Sequence, residues 1–297
     1  MRKLKLIVIL ACVFLCLPVL TFAGGESNSC DTRYPVILAH GMGASAEILG
    51  FVDYWWGIPD ALRNEGCDLY ITSVNAMDST AAKAADFKTQ FLQIKAATGA
   101  SKINIIGHSH GTLYTRYAIS NLGIAPYVAS YTSICGPHRG SAVADLIMYH
   151  TGDTVKKILA DSLDFVYAFI FGDTNPNSMQ NGYDLCTDYM TNVFNPNTPN
   201  MSGVYYQSWA TKAKTSCPSV VLEPTWIYML TQEGANDGLV SVNSAKWGNF
   251  RGVEDAAWYS PGCDHLNAVG HLFGVTPGFD APDFYVSIVS ELKGWGY

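Results

Sequence analysis

A serine framed by two glycines directly after an apolar run constrains this chain more than any other stretch: Ile103-Asn-Ile-Ile-Gly-His-Ser-His-Gly-Thr112. Ile103, Ile105 and Ile106 suit a buried parallel strand, and 112–122 reads as a helix stopped by Gly123. A G-x-S-x-G between such a strand and helix predicts a sharp turn that pushes the Ser109 hydroxyl out at the sheet's edge. Gly107 and Gly111 are expected there because side chains would collide with the neighbouring strand and helix. Glycine and serine are common, so the pentapeptide gains its meaning from this setting.

Around it the pattern alternates. Segments 35–39, 69–74, 103–106, 128–133 and 226–230 read as strands, with helical patterns over 52–63, 81–97 and 112–122. Such alternation predicts an α/β chain with a mostly parallel sheet covered by helices on both faces. No repeat, low-complexity stretch or linker divides it, so one domain is expected over 24–297. Ahead of that domain, Arg2, Lys3 and Lys5, the apolar run 6–17 and the small residues of Thr21-Phe-Ala23 read as a cleaved export signal over 1–23. Pro18 and the shortness of the run argue against a spanning helix. The expected product is secreted.

Composition narrows the rest. Lys+Arg 18 against Asp+Glu 25 gives −7, which offers a nucleic-acid backbone no electrostatic support. Hydrophobic residues at 48% with only 14% charged imply an apolar surface or a large apolar site. Cys12 and Cys16 leave with the signal. The six others are even in number, which in an exported protein favours disulfides in one of fifteen pairings. None shows C-x-x-C spacing, so a structural zinc site is not expected. His108 and His110 lack an acidic or cysteine partner at ligand spacing and make a poor metal pair.

A nucleophile at a strand end followed by a helix is the α/β-hydrolase arrangement, whose chain order is serine, acid, histidine. His40, His108, His110, His138 and His150 precede the expected acid, leaving His265 and His271. His265 lies in the loop-like Gly262-Cys-Asp-His-Leu266, whereas His271 reads as part of a helix or its end. For the acid, Asp237 in Gly234-Ala-Asn-Asp-Gly-Leu-Val240 follows the expected strand 226–230. Asn-Asp-Gly is equally a plain turn signal, and a turn at a strand end is where such sheets place reactive groups. Asp264 stands too close to His265 to orient its ring. His265 would then take the Ser109 proton while Asp237 holds the imidazole tautomer. Backbone N–H groups of His110 and of Met42, in the loop after the first strand, are the expected oxyanion donors.

These residues resemble the true lipases of the Pseudomonas and Burkholderia group. The matching segments are Tyr34-Pro-Val-Ile-Leu-Ala-His-Gly-Met42, Tyr54-Trp-Trp-Gly-Ile-Pro59, Gly107–Gly111, Pro137-His-Arg-Gly-Ser141, Gly234–Val240 and His265-Leu-Asn267, in family order from 34 to about 275. The resemblance implies an α/β-hydrolase fold, a triacylglycerol substrate met at a lipid–water interface, and the triad and oxyanion donors already named. It implies a helical lid within about 142–201. There, Val155, Ile158, Leu159, Val166, Phe169 and Ile170 recur at helical spacing, although an ordinary core helix would show the same pattern. A dedicated folding chaperone is a partner the family often uses, and a monomer is expected.

The sequence departs from the family at two points. The family's calcium is held by two aspartates and two carbonyls; the matching positions here are Cys217 and Asn267, with carbonyls near His271 and Val275. A hard cation wants carboxylates, so no cofactor is expected, and a Cys217–Cys263 disulfide would tie the same loops. Asn243 replaces one cysteine of the family's own bridge. A Cys30–Cys67 bridge is expected as well, since each precedes one of two neighbouring parallel strands. Esterase, thioesterase or polyester depolymerase activity would suit the same triad, and a non-catalytic lipid-binding module would keep the fold alone.

Overall fold

A computed structural model describes residues 28–41, 47–48, 52–75, 78–149, 177–271 and 274–297. The expected export signal, Met42 and the apolar helix expected over 155–170 lie outside these residues.

Six strands form one parallel sheet: β1 (Val36–Ala39), β2 (Leu69–Thr72), β3 (Ile103–His108), β4 (Val128–Ile134), β5 (Tyr205–Thr211) and β6 (Asn249–Glu254), in the order β2-β1-β3-β4-β5-β6. Every residue of β1, β3 and β4 is buried, as expected for strands covered on both faces. The two-residue period divides β1 between two cores. Val36 and Leu38 pack with Ile58 and Leu62 of α1 (Ile58–Asn64) and with Phe284 and Ile288 of the C-terminal helix Ala281–Gly294. Ile37 and Ala39 face Phe87 and Phe91 of α2 (Thr80–Thr98) and Tyr114 and Ala118 of α3 (Gly111–Asn121). Burying one such large apolar side chain stabilises by roughly 1.5–3 kcal/mol, so the two clusters clamp the sheet from both sides.

Helix ends follow local chemistry. Ser79 caps α2 through its hydroxyl, which accepts from the Ala82 N–H at 3.3 Å, and Gly99 ends it at φ 65°. The helix expected over 52–63 starts only at Ile58, because Gly57 turns the chain at φ 70° and Val52–Asp53 pairs antiparallel with Glu47–Ile48.

One strand assignment is corrected. Residues 226–230 are helical, within Glu223–Gln232, where Pro224 occupies the first turn and Trp226 and Met229 face inward. A short aromatic and aliphatic run cannot be told from a buried helix by periodicity. The strand in that part of the sheet is β5, whose buried Gln207 and Ser208 disguise it. Gln207 donates to Thr132 Oγ1 on β4 at 2.9 Å.

Between β4 and β5 the helices Ala142–Tyr149 and Asn177–Tyr183 and the segment 187–197 stack beside α3, around Leu146, Leu185, Met190 and Phe194. Arg116 of α3 anchors this layer: it is 1% exposed and donates to Asn195 Oδ1 and the Thr198 carbonyl.

Candidate active site

Ser109 stands between β3 and α3 at φ 56°, in the left-handed region that β-carbon sterics disfavour. Its strain is over-determined by the surroundings. The Ser109 N–H donates to the Ile134 carbonyl, and its own carbonyl accepts from Thr112 N–H and Thr112 Oγ1. A β-carbon at Gly107 would lie 2.9 Å from the Gly111 carbonyl carbon, and one at Gly111 would come within 2.1 Å of the Ala39 carbonyl oxygen. Both glycines have the steric role expected of them.

Asp237 and His265 come together although 28 residues separate them. His265 Nδ1 donates to Asp237 Oδ2 at 2.8 Å, and both side chains are 1% exposed. The other carboxylate oxygen accepts from the N–H groups of Leu239 and Val240 at 3.0 and 2.7 Å, which fixes the acid's plane. His265 N–H in turn donates to the Asp237 carbonyl. His265 Nε2 is buried with no partner among the described residues.

The turn before Ser109 is braced from below. Tyr54 Oη accepts from the Gly41 N–H at 2.9 Å and donates to His108 Nδ1 at 2.6 Å. Tyr114 Oη donates to the His40 carbonyl, and His40 Nε2 accepts from the Val74 N–H. Burial keeps these histidines neutral: His40 is pulled down to about 4, and His108 and His110 lie well below the usual imidazole range. Met42 is outside the described residues, but the residues just before it are pinned. His110 heads α3, so its N–H belongs to the positive end of a helix.

The α/β hydrolase fold family matches residues 34–216. A triacylglycerol lipase of Vibrio cholerae is 30% identical over 292 residues, covering 90% of this chain and 89% of that protein. The chain belongs to the α/β-hydrolase family. A triacylglycerol lipase of Pseudomonas fragi is 26% identical, covering 91% of this hydrolase and 99% of the relative. Among solved structures, the mature Bacillus licheniformis lipase BlEst2 superposes with a TM-score of 0.66 at 18% identity, over 88% of this chain and 93% of the other.

Calcium does not fit the hydrolase where the family resemblance would place it. Asn267 Oδ1 accepts from the Asp264 N–H at 3.0 Å, and its Nδ2 donates to the His271 carbonyl at 2.5 Å. The amide thus occupies a carbonyl a cation would need. Asp264 accepts from Leu266, Asn267 and Ser219 N–H groups, tying the 217–223 stretch to the His265 loop. Among the described residues one group could gather around a metal, His108, Cys135 and His265, with ligand atoms within 4.8 Å of one another. Burial holds the Cys135 thiol well above its ordinary pKa and the His108 ring well below its own, and Asp237 already engages His265 Nδ1, so the trio offers a metal no thiolate ligand.

The disulfide expectations need correction. All six cysteines from Cys30 to Cys263 are unbridged and buried. Cys217 packs towards Leu222 and Gly238, whereas Cys263 lies by the Asp264 carbonyl and near Cys135, so the two thiols face different neighbours. Cys30 and Cys67 share one apolar cluster, and Cys30 adds to the upward shift of the Cys67 thiol. His271 proves structural, its Nε2 meeting the Asp53 carbonyl at 2.9 Å, and Trp55 is a core residue at 2% exposure. The sequence reading missed Tyr54 as a brace, the Asp264–Asn267 clasp and a buried lysine, Lys83. Lys83 had a visible signal: it lies four and eight residues before Phe87 and Phe91, on the apolar face of α2.

Proposed function

We propose that this carboxylic ester hydrolase uses Ser109, Asp237 and His265 to cleave long-chain acylglycerols through an acyl-enzyme. The observation that carries the reading is the 2.8 Å bond from His265 to a carboxylate fixed by two further N–H donors, on a sheet whose nucleophile turn holds a serine at φ 56°. His265 Nε2 takes the Ser109 proton as Oγ bonds the ester carbonyl carbon. The imidazolium so formed is stabilised by Asp237 and returns its proton to the departing alcohol oxygen as the tetrahedral intermediate collapses. Water then repeats the sequence on the acyl-serine and releases the fatty acid. His110 N–H, with Met42 N–H as second donor, receives the oxyanion; one such donor is worth roughly 10²–10³ in rate.

The triacylglycerol lipases of Vibrio cholerae and Pseudomonas fragi support the acylglycerol substrate. The proposal includes export through the 1–23 signal, a lid within 142–201, action without calcium and a monomer at the lipid–water interface. The test compares emulsified long-chain triacylglycerol with a soluble short-chain ester, for wild type and Ser109→Ala. Long-chain activity that rises at the interface and falls at least about 10⁴-fold in the variant is expected. Short-ester activity alone would make the protein an esterase. Hydrolysis that survives the substitution would remove Ser109 from the mechanism.

A further inference from the structure

The mechanism above makes no use of the buried Lys83. Lys83, in the first turn of α2, is 1% exposed. Its Nζ donates to His110 Nδ1 at 3.1 Å and to Asn181 Oδ1 at 3.1 Å. His110 therefore carries its ring proton on Nε2, which donates to Thr80 Oγ1 at 2.7 Å. Thr80 N–H in turn donates to Asp184 Oδ2 at 2.7 Å, and Gln180 holds the other oxygen of that carboxylate. No carboxylate among the described residues forms an ion pair with Lys83, so burial draws its pKa down to about 7 against the opposing pull of Asp184 and Asp78.

An amine in a closed core is unfavourable unless its hydrogens are used. Here they are used on two acceptors, one of them the ring of the residue that follows the nucleophile. That ring is gripped at both nitrogens by side chains of a different helix. A histidine held at two points cannot turn without breaking a buried hydrogen bond, and its backbone N–H heads α3 beside Ser109. The protonation state of Lys83 matters little to this grip, since a neutral amine also donates to Nδ1.

We propose that Lys83 is a positioning residue for the oxyanion hole, acting through the His110 ring to hold the His110 N–H where negative charge develops. The proposal rests on the serine hydrolase reading given above. It assigns work to a residue that touches neither substrate nor triad. Asn181 and Asp184, on and just after the helix Asn177–Tyr183, tie the same network to the layer between β4 and β5.

The test is a double-mutant cycle of Lys83→Met and His110→Leu, read with a soluble short-chain ester and with an alkyl boronic acid. The boronic acid bonds the serine and presents a tetrahedral oxygen to the hole. For Lys83→Met, kcat should fall about 10- to 100-fold, less than the loss of a whole donor, with KM within about threefold. Boronate affinity should weaken by the same factor, and the double variant should be no slower than the slower single one. A kcat within twofold of wild type, a change confined to KM, or factors that multiply in the double variant would each overturn the proposal. Should Lys83→Met fail to fold, Thr80→Val loosens the same ring from its other nitrogen. A kcat loss of about tenfold at constant KM is then expected, and an unchanged kcat overturns the idea. Ester hydrolysis that survives Ser109→Ala would instead sink the serine reading itself, whatever the Lys83 variants do.

Discussion

At the residue scale, the two histidines flanking Ser109 do structural work that their motif conceals. Each is neutral, fully enclosed and bonded away from the nucleophile: His108 to Tyr54, His110 to Thr80 and Lys83. Tyr54 is the sharper test of this idea. Its oxygen is shared by the Gly41 N–H and His108 Nδ1, so Tyr54→Phe strands one donor and one acceptor in a site closed to water. Leaving a buried group unpaired costs about 1–3 kcal/mol. Tyr54→Phe should therefore lower the thermal midpoint and reduce kcat about tenfold or more through the loosened loop before Met42, with little change in KM. Unaltered kcat in a destabilised protein would show that Tyr54 supports the fold without setting the loop. The proposed triad can be picked from the sequence because chain order leaves few candidates: one serine in the right turn, two late histidines, and an aspartate in a turn. Tyr54 cannot, because a tyrosine just ahead of a helix has no pattern of its own, and Lys83 is marked only by its spacing to Phe87 and Phe91. Only the packing shows that their polar tips point inward.

At the element scale, the segment from Cys263 to His271 is held in place by its own side chains. Asp264 closes it onto Ser219, and Asn267 closes it onto His271. Desolvation raises the Asp264 carboxyl, while hydrogen bonds from Ser219 and Asn267 oppose that shift. A loop clasped by its own side chains has no need of a cation, so chelation by EDTA should leave both activity and melting temperature unchanged. Asp264→Asn should cost about 1–3 kcal/mol, because an amide oxygen accepts less strongly than a carboxylate and its NH₂ meets N–H groups. Activity restored by added calcium after chelation would show that the clasp is incomplete. The elements read correctly from sequence are β1 to β4 with α2 and α3, where apolar residues dominate; α1, expected from 52, begins at Ile58. The misread ones are the helix Glu223–Gln232 and the strands β5 and β6, and the cause is physical. Helix Glu223–Gln232 exposes Ile227 and Leu230 while β5 buries Gln207 and Ser208, so hydrophobicity and burial part company on that side of the sheet.

At the scale of the whole molecule, so many neutral buried groups make stability a function of proton binding. His40, His108, His110 and His138 all have folded pKa values lowered by burial. The unfolded chain binds those protons more readily, so stability present above pH about 6.5 is lost as pH falls towards about 4, by about 1.4 kcal/mol per pH unit for each proton. Asp264 and Glu254, raised by burial, act in the other sense but only at the acid end. Lys83 extends the rise upward, because between about 7 and about 10.5 only the unfolded chain holds its proton. The thiols reverse it. Burial raises all six cysteines, with Cys67 and Cys186 pushed to about 12. Above pH about 9 the unfolded chain therefore sheds protons that the folded chain keeps, and six thiols outweigh one amine. The melting temperature should peak between about pH 7 and 9 and fall on both sides, with Lys83→Met flattening the climb from 7. All six thiols are unbridged, so the alkaline limb should be the same with and without reductant. Melting curves across pH 4–10, with and without reductant, decide both points: a flat acid limb would mean the buried histidines are not held neutral, and an alkaline limb that steepens when reductant is added would mean that some of the thiols pair.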